Sequence, residues 1–589
     1  MRRGTSSTIL MKRMKANKER RSRSETARLD LSRRPYYIAI TVILVCAGFE
    51  AYGPALHGPF VYDDFALPYY SLSFPKGQLM SWINGVRPLL MLSYWVNFVL
   101  SGRATYSYHV FNLLYHLANA TAVFLIARRV LDTEVLDSAE REILAVFAGT
   151  LFLLHPIQTE SVAWIAGRSE SFSALFFLYA FTLFLYRPSK SLGWGRSVAI
   201  LVLFACAVAS KEHAAILPIL LVFTDLWWSP GDRIGAVRRN WRLYLPISCG
   251  TVVAAKIVWD VVSNSASAGF SGAGVDWLSY ALTQCRVFFV YLRLFFFPVG
   301  QNIDYDMPWS PNLLDFWSLL GLVSIVTLVL AAWRLRSRFP VGCYGFLVFL
   351  ILLAPTSSFI PIKDAIAERR LYLPMLGLVL IACEFLFHAI RERTRIVAVA
   401  SVLLVTAAIA TYRRNQLWGS EAALWQDTVA KSPNKLRGYS HLVHGLVNEH
   451  HCREALQRLD ELSRRRSIDP QLLAHWAVAY ECVHEPEHAL AKLEQAALLS
   501  PNAATYLEIA RNQLALNRTQ DALGSLNRAL ELDTTLEPAY IARGELRELQ
   551  GDRSGAALDY SRVLQLNSSN EQARQLLRLV SDDHATQVR

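Results

Sequence analysis

TQCRVFFVYLRLFFFPVG, residues 283 to 300, is apolar enough to be read as one more membrane span, and the orientation of everything after it depends on that reading. Counted as a span, it would carry Arg334, Arg336 and Arg338, and then Arg391, Arg393 and Arg395, to the side opposite the basic N-terminus. Short loops rich in Lys and Arg stay cytoplasmic, so that count breaks the charge bias the rest of the chain obeys. Arg286 and Arg293 lie seven residues apart and share a helical face, which suits a helix lying in the interface or re-entering from one side. The stretch is expected to be interfacial or re-entrant.

Outward from it, the remaining apolar runs give eleven spans, near residues 36 to 56, 108 to 129, 142 to 157, 169 to 187, 196 to 211, 213 to 228, 243 to 262, 316 to 334, 343 to 360, 370 to 390 and 396 to 412. Hydrophobic residues are 53% of the 589, and the apolar runs gather before residue 415, so an all-α integral membrane domain over 35 to 414 is expected. With the N-terminus in the cytoplasm, loops holding Arg128 and Arg129, then Arg187, Lys190 and Arg196, then Arg233, Arg238, Arg239 and Arg242, all fall inside. RPLLMLSYWVNFVLSG, 87 to 102, is apolar but short and is expected as a surface helix of the first external loop. Everything beyond residue 412 then lies outside.

The net charge of +12 is mostly a tail. Residues 1 to 34 hold 12 Lys or Arg against 3 acids, a basic cytoplasmic tail suited to orienting the first span and touching anionic lipid, not a nucleic-acid surface. The basic region is too long for a cleaved signal peptide, and no small-residue cleavage site follows the apolar run. Of eight Cys, six (Cys46, Cys206, Cys249, Cys285, Cys343, Cys383) lie in apolar segments, and no CxxC pair is present. Cys452 and Cys482 are expected as free thiols in a helical array, although export would allow them to pair.

From about residue 421 the chain turns to polar helices with small residues at fixed spacing. Ala-Leu recurs at 455, 489, 522 and 557, Tyr506 and Tyr540 are 34 apart, and SPN at 432 and 500 with DP at 469 marks turns. That period is the tetratricopeptide repeat, about four units over 415 to 580 forming an α-solenoid. Such a stack usually holds extended polypeptide on its concave face; the plainer alternative is a spacer or dimer contact.

Under this topology one set of polar loops converges on the outer side: FVYDD (60 to 64) with Arg87, HPIQTE (155 to 160), GRSE (167 to 170), SKEH (210 to 213), QNIDYD (301 to 306) and KDAIAERR (363 to 370). Polar and charged groups at membrane depth are costly unless they face water or a partner, so their clustering indicates a site. Singly, each has a bland reading. Asp63 and Asp64 cap a surface helix, Arg87 or Arg168 anchors to headgroups, Lys211 and Glu212 form an interfacial pair, His155 before Pro156 packs in a turn. Together they read as one polar site at the outer membrane surface, its candidate residues being Asp63 and Asp64 with Arg87, His155, Glu160, Arg168, Lys211, Glu212, Arg293, Glu368 and Arg369. No phosphate-binding glycine loop, Ser-His-Asp order or zinc set is visible. A carboxylate facing several cations fits group transfer from a lipid phosphate: the carboxylate takes the proton of an attacking hydroxyl, and Arg or Lys stabilises the departing phosphate. No cofactor is assigned. The doublet would alternatively hold a divalent cation, but no further acidic ligand can be assigned to it, so metal dependence is not favoured.

FVYDD, RPL at 87, YHVFNLLYHLANA (108 to 120), LHPIQTESVAWIAGRSE (154 to 170), SKEHAAILPILLVFTD (210 to 225), YLRLFFFPVGQNIDYD (291 to 306), PTSSFIPIKDAIAERRLYLP (355 to 374) and the trailing repeats together resemble the transmembrane and tetratricopeptide repeat containing O-mannosyltransferases and their bacterial relatives. The resemblance covers roughly residues 35 to 570. It implies a GT-C type glycosyltransferase using a polyprenyl-phosphate sugar, dolichyl or undecaprenyl, on the lumenal or periplasmic side. It implies Asp63 as base and Asp64 as its partner, Arg168, Lys211 and Arg369 toward the phosphate, and His155 and Glu160 shaping the site. It further implies mannose as the sugar, Ser or Thr of exported proteins as acceptor, and repeats that present or select that acceptor. Two other readings stay open: a transferase with a lipid or glycan acceptor, and a non-catalytic membrane-anchored repeat scaffold.

Overall fold

The computed structural model describes residues 34 to 587 except 69–77, 134–135, 189–190, 230, 265–268, 270–273, 313, 391 and 465–469. The basic tail, Lys190 and Arg391 of the charge argument, and the DP turn at 469 lie outside the described residues. Every regular element among the described residues is helical. The helices of ten residues or more before the repeats are α1 (Arg34–Tyr52), α2 (Pro88–Ser101), α3 (Thr105–Val130), α4 (Ser138–Leu154), α5 (Arg168–Leu185), α6 (Trp194–Ser210), α7 (Leu217–Trp227), α8 (Trp241–Asn264), α9 (Trp277–Phe296), α10 (Phe316–Leu335), α11 (Pro340–Leu353), α12 (Met375–Ala389) and α13 (Arg393–Trp418).

The expected eleven spans need correction. Five helices among the described residues are long and apolar enough to cross a membrane: Tyr37–Ala55, Thr105–Val130, Trp241–Asn264, Phe316–Leu335 and Arg393–Trp418. A sixth is counted if Ser138–Leu154 and Pro156–Ala163, bent by 47°, act as one. A helix does form at each expected position, but several are cut short by polar turns. α7 has 11 residues, so it rises about 16 Å at 1.5 Å per residue. That is well under a hydrocarbon core of about 30 Å. α11 and α12 have 14 and 15 residues. The bend after α4 has a local cause: Pro156 drives His155 out of the helical region, to φ −79° and ψ 128°.

α9, built from the stretch that opens the sequence reading, is a 20-residue helix started by Asp276, whose carboxylate accepts from the Leu278 and Ser279 amides. Tyr280, Val287, Tyr291 and Leu294 on one face are buried, while Trp277, Phe289 and Phe296 are exposed. It is not among the helices apolar enough to cross. α2 likewise buries one face (Leu90, Tyr94, Asn97) and exposes Val99 and Leu100.

Beyond Trp418 the chain enters α14 (Glu421–Lys431) and then paired helices: α15 (Leu436–Asn448) with α16 (Cys452–Ser463), α17 (Pro470–Cys482) with α18 (Pro486–Leu499), α19 (Ala503–Ala515) with α20 (Thr519–Leu532), and α21 (Glu537–Leu549) with α22 (Arg553–Leu566). Ala455, Ala489 and Ala522 are fully buried where the second helix of each pair meets its neighbours. In the fourth pair Ala556, not Ala557, holds that position, which brings the last interval to 34 residues. Cys452 and Cys482 form a disulfide with their Cα atoms 5.6 Å apart, correcting the free-thiol expectation. The end of α16 nearest its turn meets the last turn of α17, a proximity that spacing in sequence does not reveal.

The repeats do not hang free. One apolar cluster takes Ala55, Val61, Ala163, Trp164 and Ile303 from the helical bundle together with Trp418, Leu424, Trp425, Tyr439, Leu442 and Leu446 from α13 to α15. α13 runs unbroken through residue 414 into this contact.

Candidate active site

The six polar loops meet at one end of the bundle. FVYDD becomes a short turn of 3-10 helix over Tyr62–Ala66, entered through an extended Val61. Asp64 is fully buried. Its Oδ2 accepts from the Val61 amide at 2.9 Å and its Oδ1 from the Ala166 amide at 2.7 Å, tying the turn to the GRSE loop. Burial pushes the Asp64 carboxyl up to about 8 against the pull of those two amides. Trp164 adds a second tie, its indole donating to the Val61 carbonyl at 3.2 Å. Gly167 makes the approach feasible: a Cβ there would sit 2.6 Å from the Glu160 carbonyl oxygen.

Asp63 is the opposite of its neighbour. It is exposed, and among the described residues its carboxylate accepts no hydrogen bond and forms no ion pair. Surrounding protein raises its pKa, the Arg369 and then the Arg437 guanidinium lower it, and Asp364 and Glu160 raise it, leaving it above the ordinary carboxylate value. Tyr62 beside it holds φ at 55°, the left-handed region that costs a tyrosine on the order of 1 kcal/mol. The contacts that hold it there are aromatic: Trp164 at 5.7 Å, Trp425 at 5.7 Å and His441 at 5.2 Å between ring centroids.

Around the turn the other nominated residues are brought together but mostly paired. Arg369 donates its amide to Glu160 Oε2 at 3.0 Å and its guanidinium to Glu160 Oε1, and lies 5.1 Å over the Trp164 ring. Arg87 holds Glu212 through two hydrogen bonds, 3.0 and 2.7 Å. Burial alone would raise the Glu212 carboxyl, yet Arg87 and Lys211 bring it down to about 2. Lys211 pairs with Glu170 and donates to Ser169 Oγ at 3.1 Å. Glu368 accepts from the Asn302 amide and the Tyr305 hydroxyl, both at 2.6 Å, and from Gln301.

Three further nominated residues make their bonds away from the turn. Arg168 is wholly enclosed, donating to Asn112 Oδ1 at 2.7 Å, the Ser93 carbonyl at 3.1 Å and the Tyr108 carbonyl at 3.0 Å, with its guanidinium 4.5 Å over Tyr94. It clamps α2, α3 and α5 together and has no surface to offer a phosphate. His155 is buried; the Ile157 amide donates to Nδ1, so Nε2 carries the proton and donates to the Phe295 carbonyl at 2.9 Å. That closes the bend on α9. Arg293, near the end of α9, is exposed and among the described residues bonds only the Val299 carbonyl, at 2.8 Å.

No family model matches the chain. Its sequence is similar to protein O-mannosyl-transferases. One from Caenorhabditis elegans is 26% identical over 420 residues, covering 67% of this chain and 58% of that protein. Protein O-mannosyl-transferase TMTC3 of Homo sapiens is 23% identical over 544 residues, covering 82% of this chain and 58% of its own. Tmtc3 of Drosophila melanogaster is 25% identical over 557 residues, 78% of this chain and 58% of that protein. The resemblance read from the motifs is borne out by these relatives, and the chain spans somewhat over half their length. Among solved structures, a thermophilic TPR protein of Thermus thermophilus matches with a TM-score of 0.25 and 18% identity, covering 31% of this chain and 94% of that one.

Sequence reasoning missed five residues of this face. Glu170, His213, Asp304 and Asp364 stand inside quoted motifs but only their partners reveal them: Glu170 neutralises Lys211, with the His213 ring 3.7 Å away. Arg437, on α15, had no sequence signal at all. It bonds Asp304 at 2.9 and 2.7 Å and Asp364 at 2.8 Å, and lies 5.3 Å over the Tyr62 ring. Burial alone would raise the Asp364 carboxyl, but Arg437 and Arg369 hold it below the ordinary range. Among the described residues no three His, Cys, Asp or Glu side chains group as metal ligands.

Proposed function

We propose that this chain is a membrane glycosyltransferase that moves a sugar, mannose by its relatives' names, from a polyprenyl phosphate to Ser or Thr hydroxyls of exported proteins. The observation that carries the reading is Asp63: an exposed, unpaired carboxylate of raised basicity, fixed on a tethered turn between two guanidinium groups. In the reaction the acceptor oxygen attacks the anomeric carbon and its proton passes to Asp63. The bond from that carbon to the phosphate oxygen breaks, its electron pair staying with the phosphate, so one displacement inverts the carbon. Arg87, Lys211 and Arg369 face the leaving phosphate already paired with Glu212, Glu170 and Glu160, so they meet it as part of neutral pairs. Arg293, exposed and with no carboxylate partner among the described residues, has donors to spare for a lipid phosphate. The Cys452–Cys482 pair supports placing the repeats, and with them this face, in a periplasm or ER lumen, the N-terminus remaining cytoplasmic. The repeats would hold the acceptor polypeptide.

The test is transfer of label from polyprenyl-phosphate mannose in membranes holding the chain or its Asp63→Asn form. Label in precipitable protein that depends on Asp63 supports the reading. Label in the lipid fraction instead makes the acceptor a lipid or glycan, and full transfer by Asp63→Asn removes Asp63 from the mechanism.

A further inference from the structure

Between the bundle and the repeats lies a charged seam that the transfer chemistry above does not use. Asp304 is almost completely buried and is held by Arg437 through two bonds and by Lys435 at 3.1 Å. Asn302 donates to Ser432 Oγ at 2.8 Å, and Lys431 donates to the Gln301 carbonyl at 2.8 Å. Six side chains of α14, α15 and the turn between them thus engage the QNIDYD and KDAIAERR loops or FVYDD itself: Lys431, Ser432, Lys435, Arg437 and, against Tyr62, Trp425 and His441. Phe65, on the far side of Asp63, lies 5.1 Å from the His444 ring of α15. Asp63 is therefore flanked in sequence by two aromatic residues that both rest on the first repeat helix.

Arg437 joins these contacts into one unit. Nε and Nη2 are committed to Asp304 and Asp364, while Nη1 makes no hydrogen bond among the described residues, and the guanidinium covers the ring of the strained Tyr62. We infer that Arg437, carried by the first repeat and not by the membrane bundle, is a positioning residue of the transferase site, holding the Tyr62–Asp63 turn in its working geometry. The inference builds on the proposed role of Asp63. It makes the first repeat part of the enzyme, and it gives the repeats a direct route by which a polypeptide lying on them alters the base.

Two features separate this from a mere docking contact. The guanidinium acts on Asp63 through charge as well as through the Tyr62 ring. The charged and titratable groups facing Asp63 are Arg369 and Arg437, which favour its ionised form, and Asp364, Glu160 and Asp64, which oppose it, with the Tyr62 phenol alongside. Removing Arg437 therefore raises the pH at which Asp63 loses its proton. Removing a neutral seam contact such as Ser432 does not.

The experiment compares Arg437→Gln, Arg437→Lys, Ser432→Ala and Asp63→Asn in the full chain, measuring kcat and KM against pH with labelled polyprenyl-phosphate mannose. Arg437→Gln is expected to lower kcat on the order of tenfold or more and to move the acid limb of the rate profile to higher pH. Arg437→Lys is expected to restore the limb, and Ser432→Ala to leave it in place. Hydrogen exchange of the peptide over 58–67 reads the linkage without turnover and is expected to quicken in Arg437→Gln. If Asp63→Asn is inactive while Arg437→Gln keeps the wild-type kcat, limb and exchange, the inference alone is overturned. If Arg437→Gln loses activity only in proportion to folded protein, with an unmoved limb, it is also overturned. Normal transfer by Asp63→Asn overturns the base assignment and this inference together.

Discussion

At the scale of single residues, the two adjacent carboxylates divide their work because their surroundings differ. Asp64 is spent on two backbone amides, and each of its oxygens faces an N–H. Asp64→Asn must turn its own NH₂ toward one of them, leaving a buried donor unsatisfied, so unfolding in detergent is expected to come about 1–3 kcal/mol sooner. Transfer should fall only with the folded fraction. Asp63→Asn touches no such bond, so its melting temperature should match the wild type while turnover disappears; equal melting losses in both would refute the division. If Asp63 is the base, as proposed, it acts deprotonated, and because its pKa is raised the acid limb of kcat/KM should lie above the ordinary aspartate value of about 3.9. A midpoint at or below that value would exclude Asp63 as the titrating base. The sequence nominated the doublet but not the difference, since the partner that decides it, Ala166, is 102 residues away. The setting of Arg168 was illegible for a related reason: nothing in GRSE shows that its guanidinium is enclosed by Ser93, Tyr108 and Asn112.

At the scale of elements, hydropathy located the helices well and their lengths poorly. Apolar letters continue across turns that the backbone breaks, as where α4 ends at His155 and a short helix resumes at Pro156. The repeats were legible because a 34-residue period is a property of sequence alone, but the pairing of helix ends between units is not. That is where the disulfide lies, joining the start of α16 to the end of α17. Peptide mapping without reduction is expected to recover Cys452 linked to Cys482. Replacing both by Ser is expected to lower the stability of the repeat segment by about 2–4 kcal/mol, read as an earlier loss of helical signal on denaturation. Recovery of both thiols free from intact cells would place the repeats in a reducing compartment and reverse the proposed orientation.

At the scale of the whole molecule, the question is where the proposed transferase stops and the repeats proposed to hold its acceptor begin. The apolar cluster holding Val61 and Trp164 extends through Trp418 and Trp425 to Leu473, Trp476 and Ala496, so the bundle's core is continuous with the first two helix pairs and does not stop at the last apolar helix. Later repeats form separate clusters, one around Leu526 and another around Tyr560, each packed on its neighbours alone. Two truncations should therefore behave differently. Ending the chain after residue 418 removes Arg437, bares the Tyr62 turn and exposes the apolar seam; the product is expected to aggregate or to transfer nothing. Ending it after residue 500 keeps the seam, Arg437 and the Cys452–Cys482 link while deleting the third and fourth helix pairs. That form is expected to keep its kcat toward a short Ser/Thr peptide and to show a several-fold higher KM toward a long unfolded acceptor. Loss of peptide transfer in the 500 truncation at unchanged folded yield would move the boundary outward and make the distal repeats part of the catalytic unit; an unchanged KM for the long acceptor would deny them any hold on it.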